Sequence, residues 1–193
     1  MAKIKWRGGA LTAPVPPAMV TTGEGDEANI ITVAWTGIVN TVPPKTYISV
    51  RPTRHSYELI KKTGEFCVNL TPARLVKAAD FCGMYTGKKV DKFAKCGLTK
   101  GEASEVGCPI IEECPLTLEC KVTDIIELGS HHMFLADIVA VDVDESLVDD
   151  KGKLRLDKAC LAAYAHGEYF ELGKKLGTFG FSAKKKKKPH TKK

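Results

Sequence analysis

Between residues 30 and 144 the apolar residues fall into short, β-branched runs, each cut by glycine or proline. None is followed by the GxGxxG turn that opens a dinucleotide-binding βαβ unit. Residues 30–39 form one such run and 45–51 alternate as a half-buried strand does, with Val42, Pro43 and Pro44 breaking both periods between them. Two strands joined by a proline-kinked turn follow. Residues 56–62 read as a short helix with Thr53 or Ser56 as capping hydroxyl and Gly64 as its stop. Residues 65–70 read as a third strand, and 72–85 as a second helix through Leu75, Val76, Ala79 and Cys82. The glycine- and proline-rich stretch 86–115 reads as loop with a helical turn around 90–93, and its length marks it as functional. Runs at 116–128 and 131–144, divided by Gly129 and Ser130, make a hairpin with long arms. A turn at 149–152 and an aromatic-rich segment at 159–182 close the domain.

At least five strands with short helices inserted and no βαβ alternation mean a mostly β, mostly antiparallel fold, a barrel or sandwich ahead of a doubly wound sheet. A chain of 193 residues fits one domain, set here at 1–182, with residues 183–193 as a basic tail. The tail holds seven lysines and no acid against a net charge of +6, so the rest of the chain is near neutral. Like charges with nothing apolar to bury predict a disordered, solvated tail, contact with nucleic acid or an acidic partner being the alternative. No module that reads nucleic acid is visible in residues 1–182. Seven cysteines without a CxxC pair argue against zinc and for reduced thiols, several of them buried. The start, MAKIKWRGG, lacks the apolar core of a signal peptide, and no run is long enough to cross a membrane, so a cytoplasmic location is expected.

Three stretches carry candidate chemistry. Arg51, Thr53, Arg54, His55 and Ser56 gather two guanidinium groups, an imidazole and two hydroxyls where a strand ends and a helix begins. Free helix N–H groups and forked, charge-assisted donors suit a phosphate there, and a capped helix with exposed charges is the competing explanation. Asn29, Thr32, Val33, Ala34, Trp35 and Thr36 place a tryptophan among small residues on one strand, where a flat ring can lie close to the backbone. A strand tryptophan is more often core than cofactor wall. The turn at 81–93, with Gly83, Gly87, Lys88, Lys89 and Lys92, can close over an anionic or polar ligand or remain a solvated loop.

Taken in order, Asn29-x-x-Thr32-Val33-Ala34-Trp35, Pro43-Pro44, Arg51 through Ser56 and Glu65-Phe66-Cys67-Val68-Asn69 resemble the N-terminal half of flavin reductase-like, FMN-binding split barrels. Cys82-Gly83, Thr86-Gly87-Lys88-Lys89, Gly129-Ser130-His131 and Tyr169 with Leu172-Gly173 are similar to the flavoredoxin branch, and the likeness spans about residues 10–182. The resemblance implies a six-stranded split barrel, a homodimer with FMN at each edge of the interface, and the flavin ring along residues 32–36. It further implies the phosphate near residues 51–56 and the loop with Lys88 and Lys92 close to the flavin. His131 matches a histidine at the start of a late strand, with a substrate-side or a structural role. A second histidine, His132, departs from the commonest pattern. The implied activity is an oxidoreductase passing electrons from NADH or NADPH through bound FMN to free flavin or a protein acceptor. The rival is a non-catalytic FMN carrier exchanging electrons with an iron–sulfur or similar redox protein.

Overall fold

The computed structural model describes residues 1–183; the lysine run of the tail, residues 184–193, lies outside them. Seven strands form one antiparallel sheet: β1 (Ala18–Thr22), β2 (Asn29–Val33), β3 (Thr36–Thr41), β4 (Pro44–Val50), β5 (Glu65–Asn69), β8 (Leu116–Glu127) and β9 (His132–Val143). Two short ladders complete the strands, β6 (Lys100–Gly101) with β7 (Ile110–Ile111), and β10 (Ala162–Ala165) with β11 (Glu168–Glu171). The helices are α1 (His55–Thr63), α2 (Val76–Met84) and α3 (Lys92–Cys96).

The sheet runs β2-β1-β5-β8-β9-β4-β3, so its two end strands are neighbours in the chain. A twisted sheet whose ends are joined by two residues must roll up, and the result is a barrel split at Ala34 and Trp35. The apolar run at 30–39 is therefore two strands: β2 pairs with β1, the chain bends, and β3 pairs with β4. The β3–β4 ladder reaches back into the bend, where Ser49 N–H donates to the Trp35 carbonyl at 2.9 Å. This division, together with β1, gives seven strands where the family likeness implied six.

Inside the barrel Val20, Ile31, Ile48, Phe66 and Phe134 pack with Tyr57 and Ile60 of α1. Outside it a second apolar layer, including Met19, Ile30, Ala79, Cys82 and Phe93, seats α2 and α3. Strands β1 and β2 are thus covered on both faces, and alternation is lost there because neither face meets water. All seven cysteines are unbonded; five are buried and Cys160 is exposed. Among the described residues no helix is long and apolar enough to cross a membrane.

Helix α1 ends as its sequence requires, with Gly64 in the left-handed region at φ 72° and its N–H returned to the Ile60 carbonyl. Its start is different. Arg54 occupies the cap position without a side-chain bond, and neither Thr53 nor Ser56 caps it, because the Ser56 hydroxyl accepts from Asn29 Nδ2 at 2.8 Å instead. The second helix begins as a 3-10 turn at Ala73–Leu75 before α2 proper. In the long loop the helical turn lies slightly beyond residues 90–93, because Asp91 accepts from the Ala94 N–H and fixes the start of α3.

Candidate functional site

The split between the barrel's ends opens as a cleft of about 470 Å³, walled by Thr32, Val33, Ala34 and Trp35 on one side and by α2 and the β10–β11 hairpin on the other. It continues past Ile31, Arg51 and Arg54, which line both spaces, into a smaller hollow of about 220 Å³ at the start of α1. The two have different chemistry. Small and apolar side chains from β2 face the large cleft, so a flat ring can reach backbone there. The hollow is edged by Arg51, Thr53, Arg54, His55 and Ser56 with Lys92 behind, and no carboxylate lines it. Its floor is the uncapped end of α1, whose first N–H groups and positive dipole end add to the same sign of charge.

Several buried bonds hold this arrangement. Thr32 Oγ1 donates to the Ala79 carbonyl at 2.5 Å, tying β2 to α2. Lys92, 4% exposed, donates from Nζ to the carbonyls of Ile30 at 2.6 Å and Cys82 at 2.8 Å. Burial lowers the Lys92 pKa to about 8; Cys82 opposes this and the charge of Arg54 reinforces it. His55 is also held below the ordinary imidazole value, by burial first and then by Lys88 and Lys92.

His131 reaches the large cleft from the β8–β9 turn, its Nδ1 3.0 Å from the Ser130 hydroxyl. Burial lowers its pKa, and Arg51 and Arg54 add to the shift, which favours the neutral, hydrogen-bonding form of the ring. His132 points elsewhere, its Nδ1 2.9 Å from the Tyr57 hydroxyl. The adjacent histidines are thereby separated into one facing the cleft and one packed on α1.

Thr36 and Lys88 stand apart from the site predicted for them. Thr36 lies beyond the bend and donates to the Tyr47 carbonyl at 2.6 Å. Lys88 lines a neighbouring hollow with Asp26, Glu27 and His55, and acts on the site through its charge on His55. The cleft also uses residues that the sequence did not single out as ligands: Ser49, Asp80, Met84, Tyr164 and Tyr169. Tyr169 donates to Asp80 Oδ1 at 3.2 Å across the cleft wall, and burial, followed by the Asp80 charge, raises its pKa to about 12. Nothing in the sequence marks Asp80 as its partner, since 89 residues separate them.

Gly87 closes the hollow at its outer edge. A Cβ there would stand 2.1 Å from Asn29 Oδ1, and Asn29 is itself buried and tied to Ser56. Gly87→Ala should therefore cost about 1–3 kcal/mol of stability by urea unfolding. An unchanged midpoint would mean that Asn29 can swing aside freely.

With this geometry in view, the comparisons are specific. The model of the flavin reductase like domain matches residues 10–173. The flavoredoxin of Desulfovibrio vulgaris (Miyazaki F) superposes with TM-score 0.88 at 32% identity, covering 95% of this chain and all of that one. Flavoredoxin from Methanosarcina acetivorans gives TM-score 0.84 at 27% identity over the same shares. An uncharacterized protein of Archaeoglobus fulgidus is 30% identical over 138 residues, 72% of this chain and 77% of its own length. The match covers the barrel, the split and both parts of the cleft, and the chain belongs to the flavin reductase-like family of split barrels, with a flavin-related redox role.

Proposed function

We propose that the chain binds FMN and works as an oxidoreductase, taking electrons from NADH or NADPH and passing them to free flavin or a protein acceptor. The observation that carries this reading is the joining of two chemistries in one cleft: a slot of small and apolar residues that runs into a basic, carboxylate-free hollow. A flat ring bearing one phosphate matches both, and the two volumes lie in the range of ordinary ligand sites, about 300–1,000 Å³ in all. When bound, FMN supplies the reversible two-electron chemistry. Arg51, Arg54 and the first N–H groups of α1 hold the phosphate, while the β2 backbone and Trp35 orient the ring. His131, at the cleft mouth, offers a hydrogen bond to whatever approaches. The unpaired thiols suit a reducing cytoplasm.

A carrier without a nicotinamide reaction is the second reading, favoured by the full-length likeness to flavoredoxins. Anaerobic absorbance titration of the FMN-loaded protein with NADH and NADPH separates the two. Bleaching of the flavin band with turnover supports the oxidoreductase, and a band that ignores both nucleotides leaves the carrier. We also assign the exposed apolar residues Ile38 and Val39 of β3, Ile125 and Ile126 of β8, and Val139 and Val141 of β9 to contact with a second copy in a homodimer. A monomer in sedimentation equilibrium would refute it.

Lys92 gives the proposal a pH signature. Below about pH 8 it is a cation behind the hollow, with Arg54, His55, Cys82 and Cys96 as its ionisable neighbours. Above that pH the cation is lost, while the FMN phosphate, with a second pKa near about 6, stays dianionic. FMN affinity should fall roughly three-fold or more between about pH 7 and 9.5, and Lys92→Met should flatten that profile. The linkage for folding has the opposite sense. Between the folded value of about 8 and the unfolded 10.5 the unfolded chain binds more protons, so stability from this group rises with pH.

A further inference from the structure

Trp35 separates two spaces. One is the large cleft; on its other side lies a cavity of about 340 Å³ between the N-terminal segment and the tip of the β10–β11 hairpin. Leu11, Thr12, Val15, Trp35, Tyr164 and His166 contribute its walls, and Trp35, Tyr164 and Gly167 line both spaces, so the two are contiguous. The N-terminal segment is pinned to the hairpin at one point. Val15 N–H donates to the Tyr164 carbonyl at 2.9 Å and Tyr164 N–H returns the bond at 2.8 Å.

The chemistry differs from that of the large cleft. No lysine, arginine or carboxylate lines the cavity, so a phosphate or carboxylate finds no counter-charge in it. Its lining combines aromatic and aliphatic residues with three that carry a polar group, Thr12, Tyr164 and His166. Trp35 keeps 36% of its surface exposed while Ile31 and Val33 on β2 are buried, which leaves indole surface free to stack. His166 is at φ 50° and Gly167 at φ 94°, the two residues of a turn whose first position asparagine or glycine ordinarily fills. The turn itself does not call for an imidazole.

We infer that this cavity is a second binding subsite, taking a flat, uncharged aromatic ring with an oxygen substituent. The ring stacks against Trp35 and Tyr164, and His166 hydrogen-bonds the oxygen. The subsite rests on the flavin reading only for what lies beyond Trp35; its own walls are complete without FMN.

Calorimetric titration with 2-naphthol, of flavin-free protein and then of protein saturated with FMN, should show binding in both states. Thr12→Trp, which puts an indole into the cavity, should weaken 2-naphthol by roughly ten-fold or more and leave FMN affinity within about two-fold. His166→Asn suits the left-handed turn, so it should keep the melting temperature while weakening 2-naphthol several-fold. No binding of 2-naphthol overturns the assignment, as does its displacement by FMN. Unchanged affinity in Thr12→Trp also overturns it, and His166→Asn decides in the same way should Thr12→Trp not fold. Binding of 2-naphthol with these variant effects in a protein that does not take up FMN would refute the flavin reading and leave the subsite standing.

Discussion

Arg51→Ala or Arg54→Ala is expected to weaken FMN binding by roughly ten-fold or more while leaving riboflavin almost unaffected. Each guanidinium can make charge-assisted bonds to a phosphate dianion, worth about 1.5–3 kcal/mol, and about 1.4 kcal/mol is ten-fold in affinity. Both arginines line the junction of cleft and hollow, and among the described residues no carboxylate forms an ion pair with either. Their charge is therefore free for a ligand. Riboflavin has no phosphate and should not register the loss. Trp35→Ala, by contrast, removes ring contact and should weaken both ligands together. Calorimetry pairing each variant with each ligand decides the matter: equal losses for FMN and riboflavin at Arg51 and Arg54 would place the phosphate elsewhere.

How far the sequence foretold this site depends on the kind of signal each residue gives. The cluster at the start of α1 was legible because Arg51, Arg54 and Ser56 fall within six consecutive residues, and local spacing alone brings them together. Ala34 and Trp35 were expected beside a ligand and do line the cleft, but they were not legible as the bend that splits the barrel. Apolar periodicity measures burial, and Ile31, Val33 and Ile38 continue an apolar run across a change of partner strand. β1 escaped for a related reason. Ala18–Thr22 is buried on both faces, follows Pro16 and Pro17, and shows no alternation to find.

The contacts that were missed are the distant ones. Tyr169 was visible as part of a family likeness, but its bond to Asp80 requires knowing that the β10–β11 hairpin folds over α2. Lys92 was read as part of a turn that closes over an anionic or polar ligand or stays a solvated loop. Burial among Ile30, Cys82 and α3 makes it instead a fastener between β2 and α2 whose charge is felt from behind the hollow. A lysine can serve in this way because its long stem crosses an apolar layer and its ammonium then finds two carbonyls at the end.

A large stability effect should also come from a residue outside the cleft. Glu119 on β8 is fully buried, and its two oxygens accept four bonds: from the N–H and hydroxyl of Ser104 at 2.9 and 2.7 Å, and from the N–H groups of Glu105 at 2.7 Å and Val106 at 3.1 Å. Burial opposes its ionisation, but the bonds from Ser104 and Glu105 outweigh that and hold its pKa below the ordinary carboxylate value. In Glu119→Gln one oxygen becomes an NH2 group; on the Ser104 side it can donate to the serine hydroxyl, which turns to accept, but it leaves the Ser104 N–H facing another donor. At about 1–3 kcal/mol for an unsatisfied buried group, the variant should lose roughly 1–3 kcal/mol, which for a chain of this size is about 2 °C or more in Tm. On the neighbouring strand Asp142 Oδ2 is buried without a partner, and burial followed by the Glu119 charge raises the Asp142 pKa. A proton on Asp142, donated to Glu119, satisfies both oxygens, as expected of two carboxyl groups forced together. The signs then oppose. Glu119 contributes stability that is present above the unfolded value of 4.5 and lost as pH falls through its lower folded value, while the Asp142 contribution is present below 3.8 and lost as pH rises through its raised folded value. Asp142→Asn supplies a permanent N–H donor to Glu119 and should be more stable than the parent at pH 7, with the gain shrinking toward pH 4. Melting curves across that range test both: a Glu119→Gln protein that melts with the parent, or an Asp142→Asn gain that does not depend on pH, would show that the two carboxyl groups do not share a proton.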